Sequence, residues 1–253
     1  MLPLVLAFHG HGGNARTTDG QFHFNSMADE ENFIVVYPDG IHRGWNDGRE
    51  NNGNDDVDDV HFTSSLIDEI VARYGADPKR VFVTGMSNGA IFSIYLALKL
   101  PDKIQAIAPV CGSMPANLEK DFALPHPIPM LLINGTADPL IPYEGGPVVN
   151  ERSHRGRVIG TEKLITDWLR FNGCAGNSVI ERIPDVANDH CTATRFTYTQ
   201  CGNGREVVLI RVEGGGHAWP GGMQYAPRFL IGEVCRDFDA ERVIWDFFKK
   251  TAR

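Results

Sequence analysis

The first feature that indicates chemistry is a serine between two glycines. Ser87 lies in the stretch VTGMSNGA, flanked by Gly85 and Gly89. An apolar, strand-like run precedes it and a helical pattern follows, which is the strand–turn–helix setting of a nucleophile elbow. Such a turn exposes the hydroxyl at the end of the strand, close to the positive end of the next helix. Ser87 is therefore the candidate nucleophile.

A serine hydroxyl is a weak nucleophile unless a base removes its proton, so a histidine is required. In the chain order serine, acid, histidine, three histidines remain eligible: His154, His190 and His217. His217 lies in RVEGGGHAWPGG, a glycine-rich loop directly after the last strong apolar run. Because catalytic groups are often carried by loops at strand ends, we favour His217 as the base.

The acid that orients this histidine is expected in a similar position. Asp138 lies in PMLLINGTADPLIP, just past another apolar run. The competing carboxylates lie in a turn, within a helical pattern or without a preceding core strand; they are Asp102, Asp121, Asp167, Asp185 and Asp189. The sequence therefore favours Asp138.

A glycine-rich loop after the first apolar run is expected to stabilise the oxyanion. The stretch AFHGHGGN has the His-Gly pair typical of a loop that supplies one backbone N–H donor. We assign this donor to His11, with Gly12 as the nearest competitor, and the second donor to Asn88, the residue after the nucleophile. His9 and His11 also form an H-x-H pair, but because no third ligand is evident we expect no metal there.

The elements that must position these residues follow from short apolar runs that alternate with amphipathic ones. The runs are continuously apolar, as expected for parallel strands covered on both faces; they are LPLVLAF, FIVVYP, RVFVTG, IQAIAPV, PMLLING and EVVLIRVEG. TATRFTYT predicts a further strand. The helical patterns between and after them are TSSLIDEIVARYG, NGAIFSIYLALKL, GTEKLITDWLRFNG and DAERVIWDFFKKTA. This alternation predicts an α/β fold with a doubly wound, mostly parallel sheet and helices on both faces.

Residues 139–160 form the longest stretch without periodicity, and we expect this loop to flank a pocket.

Composition narrows the class of function. The 253 residues are 42% hydrophobic and 22% charged, with a net charge of −8. Because there is no basic tract, nucleic acid and anionic membrane are poor partners, and no apolar run is long enough to span a bilayer.

The acidic run ENNGNDDVDD lacks the spacing of a calcium loop, and its Asp58 and Asp59 precede a helix, where acids are favoured. We therefore interpret this run as structural.

The five cysteines have no CxxC spacing, so a zinc site is not expected. They are Cys111, Cys174, Cys191, Cys201 and Cys235. Cys191 and Cys201 bracket a predicted strand, which would hold them too far apart for a bridge. If one disulfide forms, we favour Cys174 with Cys201; the alternative is five buried thiols.

Together these motifs resemble a family of secreted serine esterases with the α/β-hydrolase fold, which contains feruloyl esterases, acetyl xylan esterases and polyhydroxybutyrate depolymerase-like enzymes. The matching stretches span nearly the whole chain; they are PLVLAFHGHGGNA, VVYPDG, DDVDDVHF, RVFVTGMSNGA, PMLLINGTADPLIPY, EGGGHAWPGG and VIWDFF. The resemblance implies the α/β-hydrolase fold and one catalytic domain over residues 1–253, secreted or periplasmic. Members generally carry one or two strands before LPLVLAFHG, so we expect that upstream strands or a signal sequence are missing here.

The resemblance also implies Ser87, Asp138 and His217 as the triad, without a cofactor or metal. Many members have cysteine where this chain has His11, and that position donates its backbone N–H. We expect Trp45 and Trp219 to form an aromatic wall for a planar acyl group. The expected substrate is a small aromatic ester or a polysaccharide-linked ester, first of all a feruloyl ester; polyhydroxybutyrate and acetylated xylan are alternatives. A non-catalytic carbohydrate-binding module is the competing class, and the oligomeric state is not predicted.

Overall fold

The strands form largely where the apolar runs predict them. The structure is a computed structural model that describes residues 1–150 and 153–251. In these residues it has ten strands: β1 Leu2–Phe8, β2 Ile34–Val36, β3 Ala76–Met86, β4 Ala106–Val110, β5 Met130–Gly135, β6 Gly146–Asn150, β7 Ser153–Val158, β8 Val179–Arg182, β9 Thr192–Tyr198 and β10 Val207–Glu213.

Eight of these strands make one sheet, in the order β2-β1-β3-β4-β5-β10-β9-β8. All neighbours from β2 to β10 are parallel, and β9 is antiparallel to both β10 and β8. The expected fold class, an α/β-hydrolase with a mostly parallel, doubly wound sheet, is confirmed. The carboxyl ends of the parallel strands therefore meet at one edge, where such folds place their sites.

Seven α-helices connect and cover the strands in the described part of the chain: α1 Ala15–Phe22, α2 Phe24–Glu31, α3 Asp59–Tyr74, α4 Asn88–Lys99, α5 Thr161–Phe171, α6 Arg228–Ile231 and α7 Ala240–Thr251. Asp58 begins α3 by accepting a hydrogen bond from the backbone N–H of His61, and Asp59 accepts one from Asn46 at 2.7 Å. The two acids at the start of this helix thus have structural partners.

The core lies on both faces of the sheet because residues alternate along each strand. Val5 and Ala7 of β1 face one cluster, which α1, α2 and α7 cover, for example with Phe22 and Trp245. The intervening residues of β1 face a second cluster, which α3, α4 and α5 cover. Full burial of one such large apolar side chain contributes about 1.5–3 kcal/mol.

The stretch without periodicity folds into a hairpin of β6 and β7, which pair antiparallel as a separate two-stranded sheet. Val148 and Val158 of this hairpin pack with Ile91 of α4 and Ile141. The hairpin thus lies over the start of α4, the helix that follows Ser87.

The expected disulfide is confirmed, since Cys174 and Cys201 are bonded. It ties the end of α5 to the turn between β9 and β10. The other three cysteines are buried and unpaired: Cys111, Cys191 and Cys235.

Among the described residues, no helix combines the length and apolar character needed to cross a bilayer.

Candidate active site

Ser87 occupies the sharp turn between β3 and α4. Its backbone has φ 60° and ψ −122°, a conformation that is strained for any residue other than glycine. The turn is held by Ser87 N–H donating to the carbonyl of Val110 at 3.0 Å. A Cβ at Gly89 would overlap the carbonyl oxygen of Phe8, and one at Gly85 would lie 2.6 Å from the Gly89 backbone. The glycines on both sides are therefore required for the turn to pack against β1.

Asp138 and His217 follow neighbouring parallel strands. Val212 of β10 pairs with Gly135 of β5, so the loops after these strands start side by side. His217 Nδ1 lies 2.7 Å from Asp138 Oδ2, and both side chains are buried. The other oxygen, Asp138 Oδ1, accepts the backbone N–H groups of Leu140 and Ile141 at 2.8 and 2.9 Å. Because the carboxylate can only accept, the proton resides on Nδ1, and Nε2 of His217 has the free lone pair that a base needs.

The backbone of the His217 loop is fixed from several directions. The N–H of His217 donates to Ile231, and the hydroxyl of Tyr225 donates to the His217 carbonyl at 3.0 Å. The thiol of Cys111 donates to the Ala218 carbonyl at 3.2 Å. Burial raises the pKa of this thiol well above its usual value, as does the nearby Asp138 to a smaller extent. Cys111 is thus a neutral donor that supports the loop.

Ser87 and His217 line the same cavity, which has a volume of about 690 Å³. In the described part of the chain, no hydrogen bond joins the Ser87 hydroxyl to His217. Catalytic hydrogen bonds are often long or poorly aligned until substrate binds. The structure therefore brings the three expected residues to one edge of the sheet, with Asp138 and His217 already in contact.

The backbone amides distinguish between the candidate oxyanion donors. Gly12 N–H donates to the carbonyl of Arg43 at 2.7 Å, so this amide is occupied. Among the described residues, the amides of His11 and Asn88 have no protein acceptor, and both residues line the cavity. This arrangement favours His11 and Asn88 over Gly12.

The His9 side chain holds the start of this loop. Its Nδ1 lies 2.8 Å from the carbonyl oxygen of Gly10, and its Nε2 accepts the N–H of Gly40 at 3.1 Å. Neutral His9 with its proton on Nδ1 satisfies both contacts. Protonation of the ring would place a second N–H donor, on Nε2, against the N–H of Gly40. Burial lowers the pKa of His9 below 6.5, against the raising effect of the Gly10 contact. Both ring nitrogens are thus used in holding the loop.

The side chain of Asn88 connects the nucleophile turn to the loop around Trp45. Its Oδ1 accepts Trp45 N–H at 2.8 Å, and its Nδ2 donates to Asp47 Oδ2 at 2.6 Å. Asp47 also forms a buried ion pair with Arg49 at 2.7 Å. Sequence reasoning missed Asp47 and Arg49; their signal was the closely spaced polar run in GWNDGR. This network fixes the wall of the cavity beside Ser87.

Neither tryptophan is the open aromatic wall that the sequence suggests. Trp45 lines the cavity but is only 1% exposed, and its indole N–H donates to the His9 carbonyl at 2.9 Å. Trp219 is fully buried, stacks on Phe22 at 3.8 Å and donates to Glu241. Trp219 is not among the residues that line the cavity. The expected contact of Trp219 with substrate is therefore wrong, and its side chain packs in the core instead.

The exposed aromatic side chains at the cavity come instead from the segment after the histidine loop. Phe229 of α6 is 83% exposed and lines the cavity, as does Tyr225. Sequence reasoning missed them; the aromatic residues in YAPRFL were the available signal. The expectation that the loop over residues 139–160 flanks the pocket is confirmed, because Leu140, Ile141 and Val148 also line it.

The competing acids and bases have other surroundings. Asp167 pairs with Lys163 at 2.6 Å, and Asp189 accepts backbone N–H groups from Cys191 and Arg236. His190 is not among the residues that line the cavity. The side chains of Asp121 and His154 lie outside the described residues.

Two buried groups of side chains among the described residues have potential metal ligands within 4.8 Å of one another. The first consists of Cys111, Asp138 and His217, in which the Nδ1 atom of His217 is already hydrogen-bonded to the carboxylate of Asp138. The second consists of Asp189, Cys191 and Cys235, and lies apart from the cavity.

Comparison with known proteins identifies the family and the fold. The profile of the family described as Phospholipase/Carboxylesterase matches residues 2–155. Over 97% of this chain, 31% of residues are identical to "Putative esterase NocK" of Nocardia uniformis subsp. tsuyamanensis, of which 73% is covered. Over 85% of the chain, 29% of residues are identical to "Feruloyl esterase B" of Piromyces equi, but the match spans only 39% of that protein.

Among solved structures, an acetyl xylan esterase from Aspergillus awamori superposes with a TM-score of 0.63 over 98% of this chain and 89% of its own, at 14% identity. This last likeness shows the shared fold.

Proposed function

This chain belongs to the phospholipase/carboxylesterase family and is similar to esterases over most of its length, and on that premise we propose that it is a serine carboxylesterase that forms an acyl-enzyme. The observation that carries the proposal is the buried contact between His217 and Asp138 beside a cavity that Ser87 also lines. We assign the activity to one catalytic domain formed by residues 1–253.

In the proposed reaction, His217 Nε2 accepts the Ser87 proton as the serine oxygen attacks the ester carbonyl. Asp138 keeps the other ring proton on Nδ1 and stabilises the imidazolium that forms. The amides of His11 and Asn88 donate hydrogen bonds to the oxyanion; loss of one such donor typically costs about 3–4 kcal/mol of transition-state stabilisation.

His217 then donates its proton to the departing alcohol, which leaves Ser87 acylated and completes the first half of the reaction. The second half uses water in place of the alcohol. The imidazole then takes a proton from water as the water oxygen attacks the acyl carbonyl. Collapse of that intermediate returns the proton to Ser87 and releases the acid.

For the substrate we propose an ester of ferulic acid or a related hydroxycinnamic acid, attached to plant cell-wall polysaccharide. The cavity volume of about 690 Å³ is in the range of sites for small organic ligands. Its walls are largely apolar, with Met86, Leu140, Val148 and Ile231 among them. Phe229, which lines the cavity and is exposed, contacts the planar acyl group in this proposal, the role first expected of Trp45 and Trp219. The relative named feruloyl esterase supports this choice.

We further propose that the enzyme works in an extracellular or periplasmic compartment. The bond between Cys174 and Cys201 supports this location, because disulfides persist mainly in oxidising compartments.

A comparison of three esters tests the substrate. We expect kcat/KM for methyl ferulate to equal or exceed that for p-nitrophenyl butyrate and p-nitrophenyl acetate. Fast cleavage of butyrate without cleavage of methyl ferulate would reject the hydroxycinnamoyl substrate and leave the esterase proposal intact. No hydrolysis of any ester by folded protein would support the non-catalytic binding module instead.

A further inference from the structure

The second buried group of potential ligands contains a pair of cysteines that the proposed reaction does not use. Cys191 lies just before β9, and Cys235 lies in the segment after α6. They are 2% and 3% exposed, and their sulfur atoms lie within 4.8 Å of each other. Forty-four positions separate them in sequence (235 minus 191), so only the fold brings them together.

Hydrogen bonds from backbone N–H groups to carboxylate side chains hold the two segments together next to the cysteines. Asp189 accepts Cys191 N–H at 3.0 Å with one oxygen and Arg236 N–H at 2.6 Å with the other. Asp237 accepts the N–H groups of Val186 and Ala187, both at 2.9 Å. Each segment thus provides a carboxylate that binds the backbone of the other, within five residues of its cysteine.

A metal is a poor occupant for this group of side chains. Both oxygens of Asp189 already accept backbone N–H groups, which compete with a cation for the carboxylate charge. A contact with Cys235 and burial also raise the pKa of the Cys191 thiol, which disfavours the thiolate that a metal requires.

We propose that Cys191 and Cys235 form a second disulfide, which leaves Cys111 as the single free thiol. Each thiol loses a proton, and the pair loses two electrons as the S–S bond of about 2.05 Å forms. The electrons reduce an external disulfide such as oxidised glutathione to two thiols, the same class of oxidant that the Cys174–Cys201 bond requires. Because the folded protein buries both sulfur atoms, the exchange takes place during folding.

The bond would anchor the segment that supports the histidine loop. Gly216 N–H donates to the carbonyl of Glu233 at 2.8 Å, and His217 N–H donates to Ile231. Both acceptors lie within four residues of Cys235, and the proposed bond ties that residue to Cys191, which directly precedes β9 of the main sheet. The disulfide touches no reacting atom and acts on the backbone of the loop.

Peptide mapping under non-reducing conditions tests the proposal. The full chain is produced in a bacterial periplasm, denatured in iodoacetamide, digested without reductant and analysed by mass spectrometry. We expect linked peptides for Cys174–Cys201 and for Cys191–Cys235, with alkylation at Cys111 alone. Thiol titration in denaturant should give one thiol per chain, rising to five after reduction.

Alkylated Cys191 and Cys235 in a sample whose Cys174–Cys201 bond is intact would overturn the proposal. So would a peptide that links Cys111 to either residue, or stoichiometric zinc that is released when the thiols are modified. As the matched control, Cys174→Ser/Cys201→Ser should keep the Cys191–Cys235 link, whereas Cys191→Ser should yield two free thiols, at Cys111 and Cys235.

Discussion

His217 and Asp138 are joined through Nδ1 and Oδ2 at 2.7 Å, with both side chains 2% exposed. Water is excluded from this contact, so the carboxylate holds the ring in one orientation and one tautomer. Since Leu140 and Ile141 fix the second oxygen, the carboxylate cannot turn away from the imidazole. The base is thus prepared before substrate binds.

Asp138→Asn should lower kcat by about 10³–10⁴-fold with little change in KM. The amide oxygen can still accept from Leu140 and Ile141, which places the amide N–H₂ against Nδ1. The imidazole proton must then move to Nε2, and the base is lost. Asp167→Asn, a change at another buried carboxylate outside the cavity, is the matched control and should keep kcat. Equal activity of both variants would contradict the role of Asp138.

Substitution at His11 separates the role of its amide from that of its side chain. His11→Ala keeps the N–H and should change kcat by less than about 5-fold, whereas His11→Pro removes the donor and should cost about 10²–10³-fold. Steady-state kinetics on p-nitrophenyl butyrate, with circular dichroism to confirm folding, check this. If His11→Ala loses as much activity as His11→Pro, the imidazole rather than the amide is required.

Acid should destabilise the protein through His9. Its folded-state pKa lies below the value of about 6.5 expected in the unfolded chain. The unfolded state therefore binds more protons, and stability is lost as pH falls below about 6.5 through the lowered folded pKa. Each unit of that difference corresponds to about 1.4 kcal/mol.

Urea unfolding at pH 8 and pH 5 measures this effect. The loss of unfolding free energy between the two should be smaller in His9→Asn than in the wild type. His190→Asn changes an exposed histidine at φ 63°, a conformation that asparagine tolerates, and should retain the wild-type dependence. An unchanged pH dependence in His9→Asn would count against the buried neutral ring.

Phe229→Ala should raise KM for methyl ferulate by about 5–10-fold, because one aromatic contact contributes about 0.5–1.5 kcal/mol beyond its buried area. Its kcat/KM for p-nitrophenyl acetate should stay within about 2-fold, since a two-carbon acyl group has no ring to contact. Val186→Ala, which removes another exposed apolar side chain away from the cavity, should leave both substrates unaffected. A similar loss on both esters would mean that Phe229 supports the loop rather than the acyl group.

The strands and the positions of the three triad residues could be predicted from the sequence because each depends on local signals. Continuous apolar runs identified the buried parallel strands, and a glycine-rich or turn-like segment directly after a run placed Ser87, Asp138 and His217 at strand ends. The parallel order of β3, β5 and β10 then brought these ends to one edge without further information.

The surroundings of the site depend on tertiary contacts and could not be predicted. Nothing local shows which way the Trp219 indole turns; it stacks on Phe22 of α1, a short helix without apolar periodicity that was itself not predicted. The hairpin of β6 and β7 has few apolar residues, and it is stabilised by Val148 and Val158 against Ile91. Phe229 lies on a helix of four residues, too short to leave a periodic signal.

Labelling with a fluorophosphonate tests the central claim most directly, because this reagent modifies only a serine that an adjacent base activates. The wild-type protein should be modified at Ser87, as located by peptide mass spectrometry. Ser87→Ala should remain unlabelled, and His217→Ala should label at least about 10²-fold more slowly. Labelling of Ser87→Ala at the wild-type rate, or an unlabelled Ser87 in folded wild-type protein, would contradict the account.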